Sequence, residues 1–375
     1  MKAKYHILLV FLALMIFSCG DNDSYVLKGK IKGLKSSELY IVSESNLRID
    51  TIQVKFGLFS KTGSFTYRGV AQIAEPLLIN MENDRVWVTV WVENGEKISL
   101  SGNANFPEMI MAKGGEINKL LTEFKTENLS FIKDKCELRD KLVARTENPE
   151  ELSANNEAHL SSQIKNIDQI LKTRAQDFVE KNPSSVAVLE LIQDYILEIE
   201  RALDIQPFLD ILTEDVKTMP MYKALENLCL KDLQTQANQP ALDFKIRDTK
   251  NDTISLEKFK DKYLILTFAR SNCEFCVPDF EKLANIRNSF SEKDLAILTI
   301  SLDENKENWK DFAKTNEISW IQVIDSVGWD SEIASFYNVL SLPCNYLIDD
   351  QSVIVGSKLH LDSIQTLLTE KIDKK

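Results

Sequence analysis

Cys273-Glu-Phe-Cys276 stands between the apolar run Tyr263-Leu-Ile-Leu-Thr-Phe-Ala269 and a helix-like stretch from about Pro278 to Phe290. A short apolar run bounded by turn residues reads as a buried strand, which puts the cysteine pair at a strand-to-helix turn. That position narrows the chemistry. Two intervening residues let the thiols close a small disulfide ring, and a helix N-terminus favours negative charge on the first sulfur. Such a thiolate attacks a disulfide, and the second thiol resolves the mixed disulfide. The pattern is that of a dithiol–disulfide exchanger.

The segment around the pair alternates. Strand-like runs fall at 242–247, 263–269, 295–301, 320–324, 344–349 and 352–356, and helical patterns lie near 278–290, 305–316, 330–338 and 361–372. Alternation of this kind predicts an α/β layer with parallel pairs, ending in a hairpin through Asp350-Gln351.

Pro240-Ala-Leu-Asp-Phe244, Ile254-Ser-Leu256, Cys273 with Cys276, Ser301-Leu-Asp303 with Trp309, and Leu342-Pro343 together carry a resemblance. Residues 238–375 resemble a thioredoxin-fold domain of the TlpA/ResA type, related to the AhpC/TSA group. The resemblance implies Cys273 as attacking thiol and Cys276 as resolving thiol. It also implies a cis Pro343 that, with Leu342, shapes the substrate face, although X-Pro bonds are trans by default. Neither organic cofactor nor metal is implied, because electrons travel through dithiols.

The chain departs from that family at three places. Asn272 stands where tryptophan is usual, Thr267 where plain thioredoxin has its buried acid, and Glu281 where a helix-kinking proline is common. Pro278 comes earlier, and proline favours the first helical position, so the regular helix is expected to begin there and leave Glu274-Phe275 in a turn. Glu274 disfavours a thiolate by like-charge repulsion. A less stabilised thiolate makes the disulfide harder to reduce, which leans toward a reducing or isomerising role.

Other readings stand beside this one. A zinc half-site lacks a second cysteine pair, and His6, His159 and His360 are isolated along the chain. A thiol peroxidase wants Thr three residues before its cysteine, where Arg270 stands. The alternative from another class is a non-catalytic lipoprotein adaptor carrying a degenerate thioredoxin domain. Cys344, directly after Pro343, reads either as a small buried hydrophobe or as a third thiol able to engage Cys273 or a substrate.

The N-terminus has Lys2 and Lys4, an apolar run from Ile7 to Phe17, then Ser18-Cys19-Gly20. This is the pattern of an export signal, and the run is too short for a stable membrane span. Ile16-Phe-Ser-Cys19 resembles a bacterial lipoprotein box, which implies lipidation at Cys19; an ordinary secretory signal is the plainer alternative. The expected place is the cell envelope, lipid-anchored, facing the periplasm or exterior, where disulfides persist. The formal net charge is −12, and loss of a leader with two lysines and no acids makes it more negative. That balance argues against nucleic acid as a partner. The partners expected are protein disulfides or thiols, a membrane or periplasmic thiol redox partner, and the membrane itself through the lipid.

The expected organisation is multidomain: leader 1–18, tether 19–24, an all-β sandwich or barrel over 25–114, a helical spacer over 115–235, and the thioredoxin fold over 238–375. Short alternating runs separated by Gly57, Gly63, Gly95 and Gly102 support the β part. Lys28-Gly-Lys-Ile-Lys-Gly33, Gly57-Leu-Phe-Ser60 and Val92-Glu-Asn-Gly95 resemble a domain of unknown function found in envelope lipoproteins ahead of TlpA-like domains. Phe65, Trp87 and Trp91 present either a binding face or strand packing, and alternation favours packing. Helices are expected over 157–181, 184–203, 205–214 and 220–234. Cys136 and Cys229 fall in helical patterns, and sequence leaves open whether they pair.

Overall fold

The computed structural model describes residues 23–43, 48–57, 61–82, 86–147, 154–248 and 252–372. The leader, the lipidation candidate Cys19 and His6 lie outside the described residues. The chain divides into two compact units, one of residues 1–196 with 211–220, the other of 197–210 with 221–375. The helical stretch 115–235 is therefore shared between them. Among the described residues no helix is long and apolar enough to cross a membrane.

Among the described residues the first unit has two sheets. One runs β4 (Lys55–Phe56), β5 (Thr62–Gly69), β1 (Tyr25–Lys32), β8 (Lys97–Asn103), β9 (Met111–Lys113), and the other runs β3 (Arg48–Gln53), β2 (Glu38–Ser43), β6 (Glu75–Glu82), β7 (Val86–Val92). Successive side chains of a strand point to opposite faces. Leu27 and Ile31 of β1 thus turn inward and meet Ile41, Ile79, Val90 and Leu100 in one core. Gly29 has no substitute in this arrangement: an added Cβ would lie 2.1 Å from the ring of its cross-strand partner Phe65. Phe65 and Trp91 are buried and Trp87 is exposed, so two of the three aromatics pack.

Helices α1 (Glu116–Glu127), α2 (Leu129–Glu147), α3 (Ala154–Lys181) and α4 (Ala187–Leu191) follow. Leu171, Ala175 and Val179 recur every fourth residue on α3 and are buried. Asn118 of α1 clamps the backbone of Trp91, accepting from its N–H at 3.0 Å and donating to its carbonyl at 2.7 Å. The Trp91 indole N–H donates to the buried Glu190 carboxylate at 3.0 Å. Burial, and then the nearby Asp194, push that carboxyl above its ordinary range, against the bonds from Trp91 and Thr89.

The single helix expected over 184–203 is not formed. α4 gives way to a π-helical turn at Ile192–Ile196 and a 3₁₀ segment at Ile199–Ile205, with Arg201 outside helical geometry. No proline or glycine marks the break, so apolar spacing alone runs straight through it. Short helices α5 (Gln206–Asp210) and α6 (Glu214–Lys217) then lead to α7 (Pro220–Gln234).

The second unit contains the α/β layer that the alternation predicts. Its sheet runs β14 (Ile321–Ile324), β13 (Leu295–Ser301), β12 (Tyr263–Ala269), β15 (Cys344–Ile348), β16 (Ile354–Gly356), beside a small hairpin of β10 (Lys245–Arg247) and β11 (Thr253–Ser255). Strand β12 is central, parallel to β13 and antiparallel to β15. All seven of its residues are buried, because helices cover both faces. Ile265 packs with Phe280 and Leu283 of α8 (Val277–Ser289) and with Ile364 of α11 (Leu361–Ile372). Leu264, Leu266 and Phe268 pack the other way, against Phe244 and against Ile333 of α10 (Glu332–Phe336). Between β13 and β14, α9 (Lys306–Thr315) places Trp309 edge-on to Phe280, with ring centroids 5.8 Å apart.

Candidate active site

Strand β12 ends at Ala269, and the chain turns through Arg270–Cys276 before α8 begins. Cys273 caps a three-residue 3₁₀ turn, Glu274–Cys276, and the regular helix starts at Val277 with Pro278 in its first positions. That is the arrangement Pro278 implies. Cys273 and Cys276 form a disulfide with Cα atoms 5.3 Å apart. The two sulfurs are not equivalent, since Cys276 is fully buried and Cys273 is half-buried. An incoming thiol therefore meets Cys273 first. Glu274 is exposed, and Phe275 between the cysteines is 79% exposed.

The Leu342–Pro343 peptide is cis. Leu342, Pro343 and Cys344 line a groove of about 330 Å³ together with Phe275, Asp279 and His360. The structure thus gathers the sequence-derived candidates at one end of the central sheet. Cys344 itself is 5% exposed and packs in the core behind the groove, opposite Phe268. Cys136 and Cys229 are both thiols rather than a disulfide. Burial first, then Glu108, pushes Cys136 up to about 12; burial first, then Asp232, pushes Cys229 up to about 11. Both stay protonated near neutrality and are poor nucleophiles.

Sequence reasoning missed Asp279. It lies three residues after Cys276, about one helical turn, and is half-buried. Where Thr267 replaces an acid, its hydroxyl donates to Asn345 Oδ1 at 2.5 Å, and the Asn345 amide donates to Asp279 Oδ2 at 3.1 Å. The carboxyl arrives from the helix instead of the strand. Burial raises it above the ordinary range, opposed by the Asn345 bond and the charges of Lys282 and His360. The available signal was the spacing from Cys276 together with the opposed polar pair Thr267 and Asn345, which the strand register brings face to face.

Residues 237–357 match the family model described as AhpC/TSA family. "Thioredoxin-like protein YneN" of Bacillus subtilis (strain 168) is 26% identical over 127 residues, 33% of this chain and 72% of that protein. "Thiol-disulfide oxidoreductase ResA" of the same organism is 28% identical over 115 residues, 31% of this chain and 63% of that protein. Among solved structures, a thiol-disulfide oxidoreductase from Bacteroides fragilis NCTC 9343 is 30% identical, covering 36% of this chain and 99% of that one, with a TM-score of 0.34. Residues 237–357 thus carry the match to the AhpC/TSA family, and this C-terminal third is a thioredoxin-fold thiol–disulfide oxidoreductase domain.

Proposed function

We propose that this protein is a lipid-anchored envelope thiol–disulfide oxidoreductase that reduces or isomerises disulfides in other proteins. The observation that carries it is the asymmetric Cys273–Cys276 pair, one sulfur reachable and one sealed, beside a groove walled by Leu342 and Pro343. In the reduced form Cys273 thiolate attacks a substrate disulfide, forming a mixed disulfide and releasing one substrate thiol. Cys276 then attacks the Cys273 sulfur, releasing the second thiol. The substrate gains two electrons and the pair loses two, so a membrane or periplasmic dithiol must restore it.

The lean toward reduction rests on electrostatics. Cys273 gains only the end of a three-residue 3₁₀ turn, and Glu274 carries like charge beside it. The leader and Cys19 supply the anchor in this reading. In this reading the two sheets of the first unit make a sandwich, and the thioredoxin fold over 238–375 is the catalytic domain.

The test is the equilibrium reduction potential of the pair in the full chain. A value at or below roughly −270 mV, that of thioredoxin, supports the reductive role. A value near −120 mV overturns it in favour of an oxidant. A pair that forms no disulfide at any poise leaves the adaptor reading.

Asp279 is the proton acceptor for Cys276 in this scheme. Asp279→Asn is expected to slow exchange about a hundredfold, measured by rapid-mixing fluorescence. In the wild type the rate should fall as pH drops through the raised carboxyl, above the usual carboxylate range. Stability runs the other way. The native state holds this proton more tightly than the unfolded chain, so stabilisation present at low pH is lost as pH rises through the raised value. Asp279→Asn should therefore raise the melting temperature at pH 7. An unchanged exchange rate would remove the acceptor role.

A further inference from the structure

We propose that Asp303 is a positioning residue that sets the redox behaviour of Cys273 by holding the turn that presents it. The proposal deepens the dithiol reading and rests on it.

Asp303 lies just past β13 and is 4% exposed. Its carboxylate accepts three hydrogen bonds: from Ser271 N–H at 2.9 Å, from the Ser271 hydroxyl at 2.5 Å and from the Ser301 hydroxyl at 2.7 Å. Hydrogen bonds to an ionised acceptor are about twice as strong as neutral ones. The adjacent strands aim it. Ser301 pairs with Ala269 at the ends of β13 and β12, and Leu302 N–H donates to the Ala269 carbonyl at 2.9 Å. The loop after one strand is thereby fixed to the loop after the other. Cys273 N–H closes the turn onto the Arg270 carbonyl at 3.2 Å, leaving Ser271 inside it.

Two consequences follow for the sulfur. The grip on Ser271 keeps Cys273 in the extended conformation from which it caps the 3₁₀ turn. The buried Asp303 carboxylate, held on Ser271 two residues before Cys273, also opposes a negative charge on Sγ, and it occupies a backbone N–H that an anion would otherwise use. The adjacent cation Arg270 faces Glu304 at 3.6 Å, and the other charge close along the chain, Glu274, is negative. The charge and the occupied N–H disfavour the thiolate and so favour the disulfide.

The experiment measures the equilibrium of the full chain with glutathione, and the pH midpoint of Cys273 alkylation by iodoacetamide. Asp303→Asn keeps the shape and removes the charge. It is expected to shift the equilibrium about tenfold toward the reduced pair, ~30 mV more oxidising, and to lower the alkylation midpoint. Ser271→Ala keeps the charge, removes one donor, and should shift both readouts modestly the opposite way. A merely structural carboxylate would change melting temperature in both variants and leave potential and midpoint at wild-type values, which would overturn the proposal. If Asp303→Asn does not fold, a wild-type potential in Ser271→Ala has the same force. A wild-type pair inert to glutathione at every poise is a separate outcome, because it removes the dithiol reading and this inference with it.

Discussion

Cys273→Ser is expected to abolish disulfide exchange, a loss on the order of a thousandfold or more in reduction of a disulfide substrate. The serine hydroxyl cannot form the mixed disulfide on which the two-electron transfer depends. Cys276→Ser should behave differently. Its Cys273 still attacks, no thiol resolves the product, and mixed disulfides accumulate as bands that vanish on reduction in electrophoresis. The background should be low, because Cys136 and Cys229 are buried thiols pushed up to about 12 and about 11. Cys344 is the thiol to watch, since it lines the groove beside Pro343. A trapped adduct in Cys276→Ser that maps to Cys344 would give that residue a direct part in exchange. Full activity in Cys273→Ser would overturn the catalytic scheme and leave the adaptor.

Lys358→Met is expected to cost the second unit about 3–5 kcal/mol, the usual penalty for stranding one partner of a buried ion pair. Lys358 Nζ sits 2.6 Å from Asp232 Oδ1, with the two side chains only 11% and 1% exposed. Asp232 otherwise accepts from the backbone N–H of Leu203 at 3.0 Å and the Gln236 amide at 3.3 Å. Two neutral donors do not replace a cation around a carboxylate so deeply buried. The variant should melt on the order of 10 °C lower. Adding Asp232→Leu should recover most of the loss, because an apolar pair of similar volume needs no compensation. A Lys358→Met chain that melts within ~2 °C of wild type would show the pair to be dispensable. The pair also joins α7 to the loop before α11, so both partners lie in the unit that holds the dithiol.

The catalytic domain was legible because its information is local. Seven consecutive residues, apolar but for Thr267, make a strand that must be buried on both faces, so strand β12 was readable at the residue level. The helix start near Pro278 followed from the fixed proline torsion, and the order of strands and helices from their two periodicities. The break after α4 was not readable. It carries no proline or glycine, and the change of unit at 196–197 depends on which core each apolar face finds. The two-residue strand β4 and three-residue β9 carry too little pattern to separate from loop.

The site divides along the same line. Residue type and spacing along one stretch of chain pointed to the Cys273–Cys276 pair, because a dithiol ring of this size closes only between near neighbours. Their surroundings came from contacts that sequence distance hides. Asp279 meets Asn345 and Thr267 across a helix and two strands. Asp303 reaches back to Ser271 across a strand pair. Asp232 finds its cation more than a hundred residues away, 126 positions along the chain. Each of these is an ordinary acid in the sequence. It becomes specific only when burial removes water and leaves a few fixed donors to satisfy it.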